Sequence, residues 1–97
     1  MPMRLELSRR AQADLDEIRD YSLQTFGADR AIAYVDEIER AFRHILRFPE
    51  IGVVHSTSQP PVRSLACQQH RIYYRILDDR VLVGRILHKA MDVERHL

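Results

Sequence analysis

The sequence predicts an α+β fold: an N-terminal strand and an antiparallel helical hairpin packed on one face of a mostly antiparallel, roughly four-stranded sheet. Three observations predict it. Two stretches before Pro49 carry apolar side chains at helical spacing. Three stretches after Pro61 read as strands, two of them joined by a two-residue turn. Helices are therefore grouped together and strands grouped together, which is the mark of α+β rather than of alternating α/β units.

Taken in order, Met3, Leu5 and Leu7 alternate with Arg4 and Glu6, which suits a short first strand. Ser8 follows where a helix N-cap belongs, because its hydroxyl accepts from an unpaired backbone N–H. Ala11, Leu15, Ile18 and Ser22 then form one stripe, flanked by Tyr21 and Phe26, with Asp16, Glu17 and Asp20 outward and Asp14 nearer the edge. Gly27 suits the left-handed exit from that helix. A second helix begins near Ala28 or Asp29, with a stripe of Ala31, Val35, Ile38, Phe42 and Ile45, widened by Tyr34, Ala41 and Leu46. Asp36–Arg40 and Glu39–Arg43 are spaced to pair along its surface, and Pro49 stops it.

Pro49 to Pro61, rich in Gly, Ser and Pro, is the one long irregular connection. Val62 to Ala66 is the next strand candidate, ending at a turn over Gln68-Gln69. In the segment from His70, Ile72, Tyr74 and Ile76 alternate with Arg71, Tyr73 and Arg75, which describes one buried face and one charged, open face. Asp78-Asp79 is a two-residue hairpin loop. Val81 to Leu87 is apolar apart from Gly84 and Arg85 and should lie centrally. Arg85 and His88 are three apart, so a regular strand sends them to opposite faces, whereas a bulge at Gly84 changes that assignment.

A chain of 97 residues makes one domain over residues 1–97. No apolar run approaches the ~20 residues of a membrane span. Charged residues interrupt the N-terminus where a signal peptide would be apolar. The single cysteine, Cys67, excludes an internal disulfide and fits a reducing, cytoplasmic setting. Neither a metal nor another cofactor is expected. Charge is uneven: residues 1–50 hold eight Arg against ten Asp/Glu, a net of −2, and residues 51–97 hold seven Lys/Arg against four Asp/Glu, a net of +3. All but Lys89 of the basic residues are arginines, whose planar fork suits phosphates and carboxylates.

Four segments carry a family resemblance: LSRRAQADLDEIRDYSLQTFG, HILRFPEIG, HRIYYRI and RILHKAMDVERHL. Together they resemble the RelE/ParE superfamily of toxins from type II toxin–antitoxin systems, the ParE branch most strongly. The resemblance implies a small toxin neutralised by a cognate ParD-like antitoxin, in a heteromeric complex. ParE-like members poison DNA gyrase, and RelE-like members are ribosome-dependent mRNA endoribonucleases. For the nuclease, Arg71 and His88 match positions of a phosphate-binding arginine and an acid/base histidine; a general base and a C-terminal tyrosine have no match. Arg71 is equally suited to pair with Asp92 or Glu94 in the tail.

Binding to gyrase demands less chemistry. A flat cationic face of Arg63, Arg71, Arg75 and Arg85, with His88 and a tail holding Lys89, Arg95 and His96, suffices by complementarity. The expected function is therefore gyrase inhibition, with the RelE-like endoribonuclease as the alternative and, as the third class, a toxin-fold protein that has lost toxicity or a plain nucleic-acid-binding module. Leu23, Ile32 and Leu46 lie beside the ideal helical stripes and are the expected antitoxin contacts.

Overall fold

A computed structural model describes residues 3–56 and 58–91. Strand β1 (Arg4–Leu7) leads into helices α1 (Arg9–Phe26) and α2 (Ala28–Arg47), then a short 3-10 turn (Pro49–Ile51) and strands β2 (Val53–Val54), β3 (Arg63–Cys67), β4 (His70–Ile76) and β5 (Arg80–His88). The sheet order is β1-β5-β4-β3-β2. β1 runs parallel to β5 and every other pair is antiparallel. The architecture is the expected one, with five strands in place of roughly four. The extra strand is two residues of the irregular connection, too short to show a period of two.

Both helix boundaries follow the local chemistry. The Ser8 hydroxyl accepts from the Ala11 N–H at 3.0 Å and donates to the Gly84 carbonyl at 2.8 Å. The cap thus ties the start of α1 to β5 as well as closing its own turn. Gly27 has φ +89°, a conformation that a Cβ would strain, and it is the whole linker between α1 and α2. Ser8→Ala should cost about 1–2 kcal/mol, since the cap and the Gly84 carbonyl both lose a partner. Thermal melting by circular dichroism should show a drop of roughly 4–16 °C; an unchanged melt would contradict the cap.

The main core lies between the hairpin and one face of the sheet. Ala11, Leu15 and Ile18 of α1 and Ile38, Phe42 and Ile45 of α2 meet Ile72, Tyr74, Val81, Val83 and Ile86. The opposite face is not simply charged and open: Val62, Tyr73 and Leu87 form a second, small buried cluster there. Tyr73 belongs to it because β4 alternation turns it away from the helices. Arg40 pairs with Glu37, at 3.2 Å, rather than with Asp36.

A β-bulge interrupts the β4–β5 ladder. Tyr73 pairs with Arg85 and Tyr74 with Val83, which leaves Gly84 as the extra residue. Beyond it, β1 has ended, and α1 lies along the exposed edge of β5 instead. The Ser8 N–H bonds to the Val83 carbonyl at 2.9 Å, and the Ile86 N–H bonds to the Asp14 carboxylate at 2.9 Å. A side chain on the helix thereby occupies a ladder position that a strand would otherwise fill.

Candidate partner-binding groove and cationic sheet face

The bulge decides where the basic residues of β5 go. Arg85 turns to α1 and grips Asp14 with both arms of its guanidinium, Nε to Oδ2 at 2.8 Å and Nη2 to Oδ1 at 3.0 Å. The two side chains are only 13% and 11% exposed. That hydrogen bond to Asp14 raises the Arg85 guanidinium pKa, against the opposing effect of burial. Arg85 is thus a structural cation and not part of an open face, which corrects the sequence expectation. Asp14, expected near the edge of the stripe, is buried.

Arg63 is also elsewhere than expected. It pairs across the sheet with Tyr74, on the helix side, and its guanidinium donates to the carbonyls of Glu50 and Gly52 at 3.1 and 3.2 Å. The open face carries Arg71 and Arg75 from β4. The Arg71 guanidinium donates to the Ser64 hydroxyl from Nε at 3.1 Å and Nη2 at 2.9 Å. The same hydroxyl bonds to Nε2 of His55, whose ring packs on Tyr73 with centroids 5.6 Å apart. Sequence reasoning missed Ser64 and His55, because β2 and β3 are joined through irregular chain with no register to read. The tail carboxylates Asp92 and Glu94, and the tail cations Arg95 and His96, lie outside the described residues.

His88 faces the other way. It pairs across the ladder with His70, while Arg71 pairs with Leu87, so Arg71 and His88 occupy opposite faces of the sheet. The His70 and His88 rings are nearly perpendicular, with centroids 5.4 Å apart. Nδ1 of His70 bonds to the Tyr34 hydroxyl at 2.6 Å, and that hydroxyl accepts from the Gln69 N–H at 3.1 Å. Nδ1 of His88 accepts from the Ala90 N–H at 3.1 Å. Burial, and then the neighbouring His88, hold the His70 imidazole below its ordinary range, with Asp14 acting in the opposite sense. Burial pushes the Tyr34 hydroxyl up, and burial followed by Glu37 pushes up the Cys67 thiol. Cys67 is a buried, unreactive thiol. Among the described residues no three His, Cys, Asp or Glu side chains converge as metal ligands.

These histidines form the floor of a groove of about 1090 Å³ between the free end of the helical hairpin and the ends of β4 and β5. Tyr21, Phe26 and Met91 rim it, each half exposed or more. Tyr21 and Phe26 meet edge to face at 6.4 Å, and the Arg30 guanidinium lies over Phe26 at 5.8 Å. Exposed aromatic surface of this kind is the usual anchor of a protein interface. Of the expected antitoxin contacts, Leu23 and Ile32 are at least half exposed, whereas Leu46 is partly buried against the main core. Tyr21 and Phe26 could have been found from the sequence: they flank the α1 stripe, and no core position was left for them.

Residues 5–93 match a family model described as the ParE toxin of the type II toxin–antitoxin system, parDE. The chain is 36% identical to Toxin ParE1 of Mycobacterium tuberculosis, over the full length of both. It is 36% identical to Toxin ParE1 of Caulobacter vibrioides, over 94% of both. Among solved structures it resembles one from the chromosomal ParDE system of P. aeruginosa (TM-score 0.75, 24% identity, 90% of this chain and 96% of that one). It also resembles a chain of the toxin–antitoxin complex RelBE2 of Mycobacterium tuberculosis (TM-score 0.64, 24% identity, 92% and 100%) and isolated E. coli RelE (TM-score 0.63, 15% identity, 98% and 99%). The last three likenesses establish the shared fold.

Proposed function

The chain belongs to the ParE toxin family of type II toxin–antitoxin systems, and from that membership we propose that it inhibits DNA gyrase by binding and is neutralised by a ParD-like antitoxin. The observation that carries the reading is the separation of Arg71 and His88 onto opposite sheet faces. A nuclease needs its phosphate-binding cation and its acid on the same phosphodiester. A binding toxin needs only complementary surface. No specific observation favours the endoribonuclease over it.

The two surfaces divide the work. The half-exposed aromatic rim and the groove suit an antitoxin segment with apolar anchors. Structural relatives described as a ParDE system and as a RelBE2 toxin–antitoxin complex support an antitoxin partner. Arg71 and Arg75 on the open face, with Lys89 at the end of β5, supply the cationic contact to gyrase or to its bound DNA. Arg85, held by Asp14, stands outside this face, as do Arg63 and His88 on the helix side of the sheet. The antitoxin contacts are Leu23 and Ile32 on the hairpin exterior and the Tyr21–Phe26 rim; Leu46 packs against the main core near the other end of α2.

A supercoiling assay with purified gyrase tests the proposal. Inhibition is expected, and Arg71→Ala with Arg75→Ala should weaken it about tenfold, with the difference shrinking as salt rises. Full supercoiling at a large molar excess of toxin would remove the gyrase assignment.

A further inference from the structure

Ser64 sits at the centre of a small polar cluster on the open face of the sheet, and it is 1% exposed. Its hydroxyl has two lone pairs and one proton. The Nε and Nη2 donors of Arg71 take the lone pairs, at 3.1 and 2.9 Å, so the proton goes to Nε2 of His55. His55 is fixed by its backbone as well. Its N–H bonds to the Val62 carbonyl at 2.8 Å, and its ring packs on Tyr73. One buried oxygen therefore sets the position of both a guanidinium and an imidazole.

The bookkeeping of donors says what this cluster shows to solvent. Nε2 of His55 is an acceptor here, so the ring carries its N–H on Nδ1. Arg71 keeps both N–H groups of Nη1 and the second of Nη2, and none of these meets an acceptor among the described residues. His55 is exposed and Arg71 partly so. The outward side of the cluster thus offers donors only. Such a surface holds an anion, and it supplies no base to take a proton from an attacking hydroxyl.

Arg75 follows four residues on along the same face, about 13 Å from Arg71 at the rise of a strand. It makes no ion pair among the described residues. Glu6, which lies in its row across Leu82, is engaged by Arg80 at 3.2 Å. The apolar side chains beside the two arginines do not protrude: Val62, Tyr73 and Leu87 are 5%, 5% and 2% exposed. Protein partners anchor on exposed aromatic and aliphatic side chains, which the hairpin rim offers and this cluster does not. Contacts to phosphate need no such anchors.

We infer that Arg71 and His55, set by Ser64, form a phosphate subsite, that Arg75 takes a second phosphate of the same strand, and that the partner of this face is the backbone of DNA. Each strand of a duplex carries a phosphate every ~3.4 Å of axis, so cations about 13 Å apart can meet one strand. Contacts of this kind position a protein on DNA without reading its sequence. The inference rests on the proposed reading of this face as the target-binding surface. It names the DNA held by gyrase, rather than gyrase itself, as what Arg71 and Arg75 touch.

The test is fluorescence anisotropy of a labelled duplex of about 30 base pairs, titrated with the full chain between about 50 and 200 mM salt. Two phosphate contacts predict a log–log salt slope of about −1.8 or steeper, a loss of at least roughly tenfold in affinity across that range. Arg71→Ala should weaken binding about fivefold and flatten the slope by about 1. Ser64→Ala removes no charge, so it should leave the slope alone and weaken binding about threefold, because Arg71 and His55 lose their common support. His55→Ala, at an exposed position, should do the same and stands in should Ser64→Ala fail to fold. Arg40→Ala, on α2 with a side chain 72% exposed, should change affinity less than about twofold. No binding of the duplex at a large molar excess of toxin overturns the inference, as do equal losses from Arg40→Ala and Arg71→Ala. A folded Ser64→Ala or His55→Ala that binds as tightly as the wild type overturns it too. A tenfold preference for single-stranded RNA of the same length, or its cleavage, would take the subsite away from DNA. If Arg71→Ala with Arg75→Ala no longer binds DNA yet blocks supercoiling fully, this inference fails and the gyrase reading stands; a wild type that binds DNA and leaves supercoiling untouched has the opposite meaning.

Discussion

Asp14→Ala is expected to cost about 3–5 kcal/mol, the range for breaking one side of a buried ion pair. The native domain has only about 5–15 kcal/mol in total, so urea denaturation should show a large part of the stability gone. The size follows from what the carboxylate does. It neutralises Arg85 through two short hydrogen bonds and satisfies the Ile86 N–H on the open edge of β5. Alanine takes the carboxylate from a buried cation and the acceptor from a buried amide at once. Arg85→Met should cost less, because Asp14 keeps its bond to Ile86 and methionine can fill the space left by the guanidinium stem. A denaturation midpoint for Asp14→Ala within about 1 kcal/mol of the wild type would sink the account, as would Arg85→Met proving the worse of the two.

That ion pair also marks the limit of what the sequence discloses. The helices were legible because a helix announces itself locally. Ser8, Gly27 and Pro49 punctuate two stripes, and Ala11, Leu15, Ile18, Ser22, Ala31, Ile38, Phe42 and Ile45 are buried as the stripes require, with Val35 only partly so. The Asp78-Asp79 turn was legible for the same reason, and the Leu77 N–H bonds to the Arg80 carbonyl across it at 2.8 Å. The partner of Asp14 stands 71 residues away in the chain, and no period points to it. Gly84 raised the question of a bulge, but only the register answers which way Arg85 and His88 turn. The site was therefore read as a list of cations and not as a surface. Of the arginines assigned to one face, Arg71 and Arg75 share it, while Arg63 and Arg85 are drawn off by carbonyls and a carboxylate.

Gly52→Ala should cost about 2–6 kcal/mol, for a reason that explains the FPEIG segment physically. The backbone of Gly52 is ordinary, at φ −71°, so conformational freedom is not what the position needs. Space is: a Cβ there would lie 2.5 Å from the Tyr74 hydroxyl and 3.0 Å from the Ser64 carbonyl. Tyr74 is almost wholly buried, accepts from the Gly52 N–H at 2.9 Å and donates to the Pro49 carbonyl at 2.6 Å. Its hydroxyl pins the 3-10 turn to the centre of the sheet. Alanine adds an overpacking cost of about 1–3 kcal/mol and, by displacing the hydroxyl, strands two backbone groups at about 1–3 kcal/mol. Tyr74→Phe alone should lose only the second of these. In the double variant the methyl group no longer meets a hydroxyl, so its cost should fall short of the sum of the singles by at least about 1 kcal/mol. Chemical denaturation of the four proteins measures this directly. Additive losses would mean that Gly52 and Tyr74 act separately and that the turn is held by the Arg63 guanidinium on Glu50 and Gly52 instead.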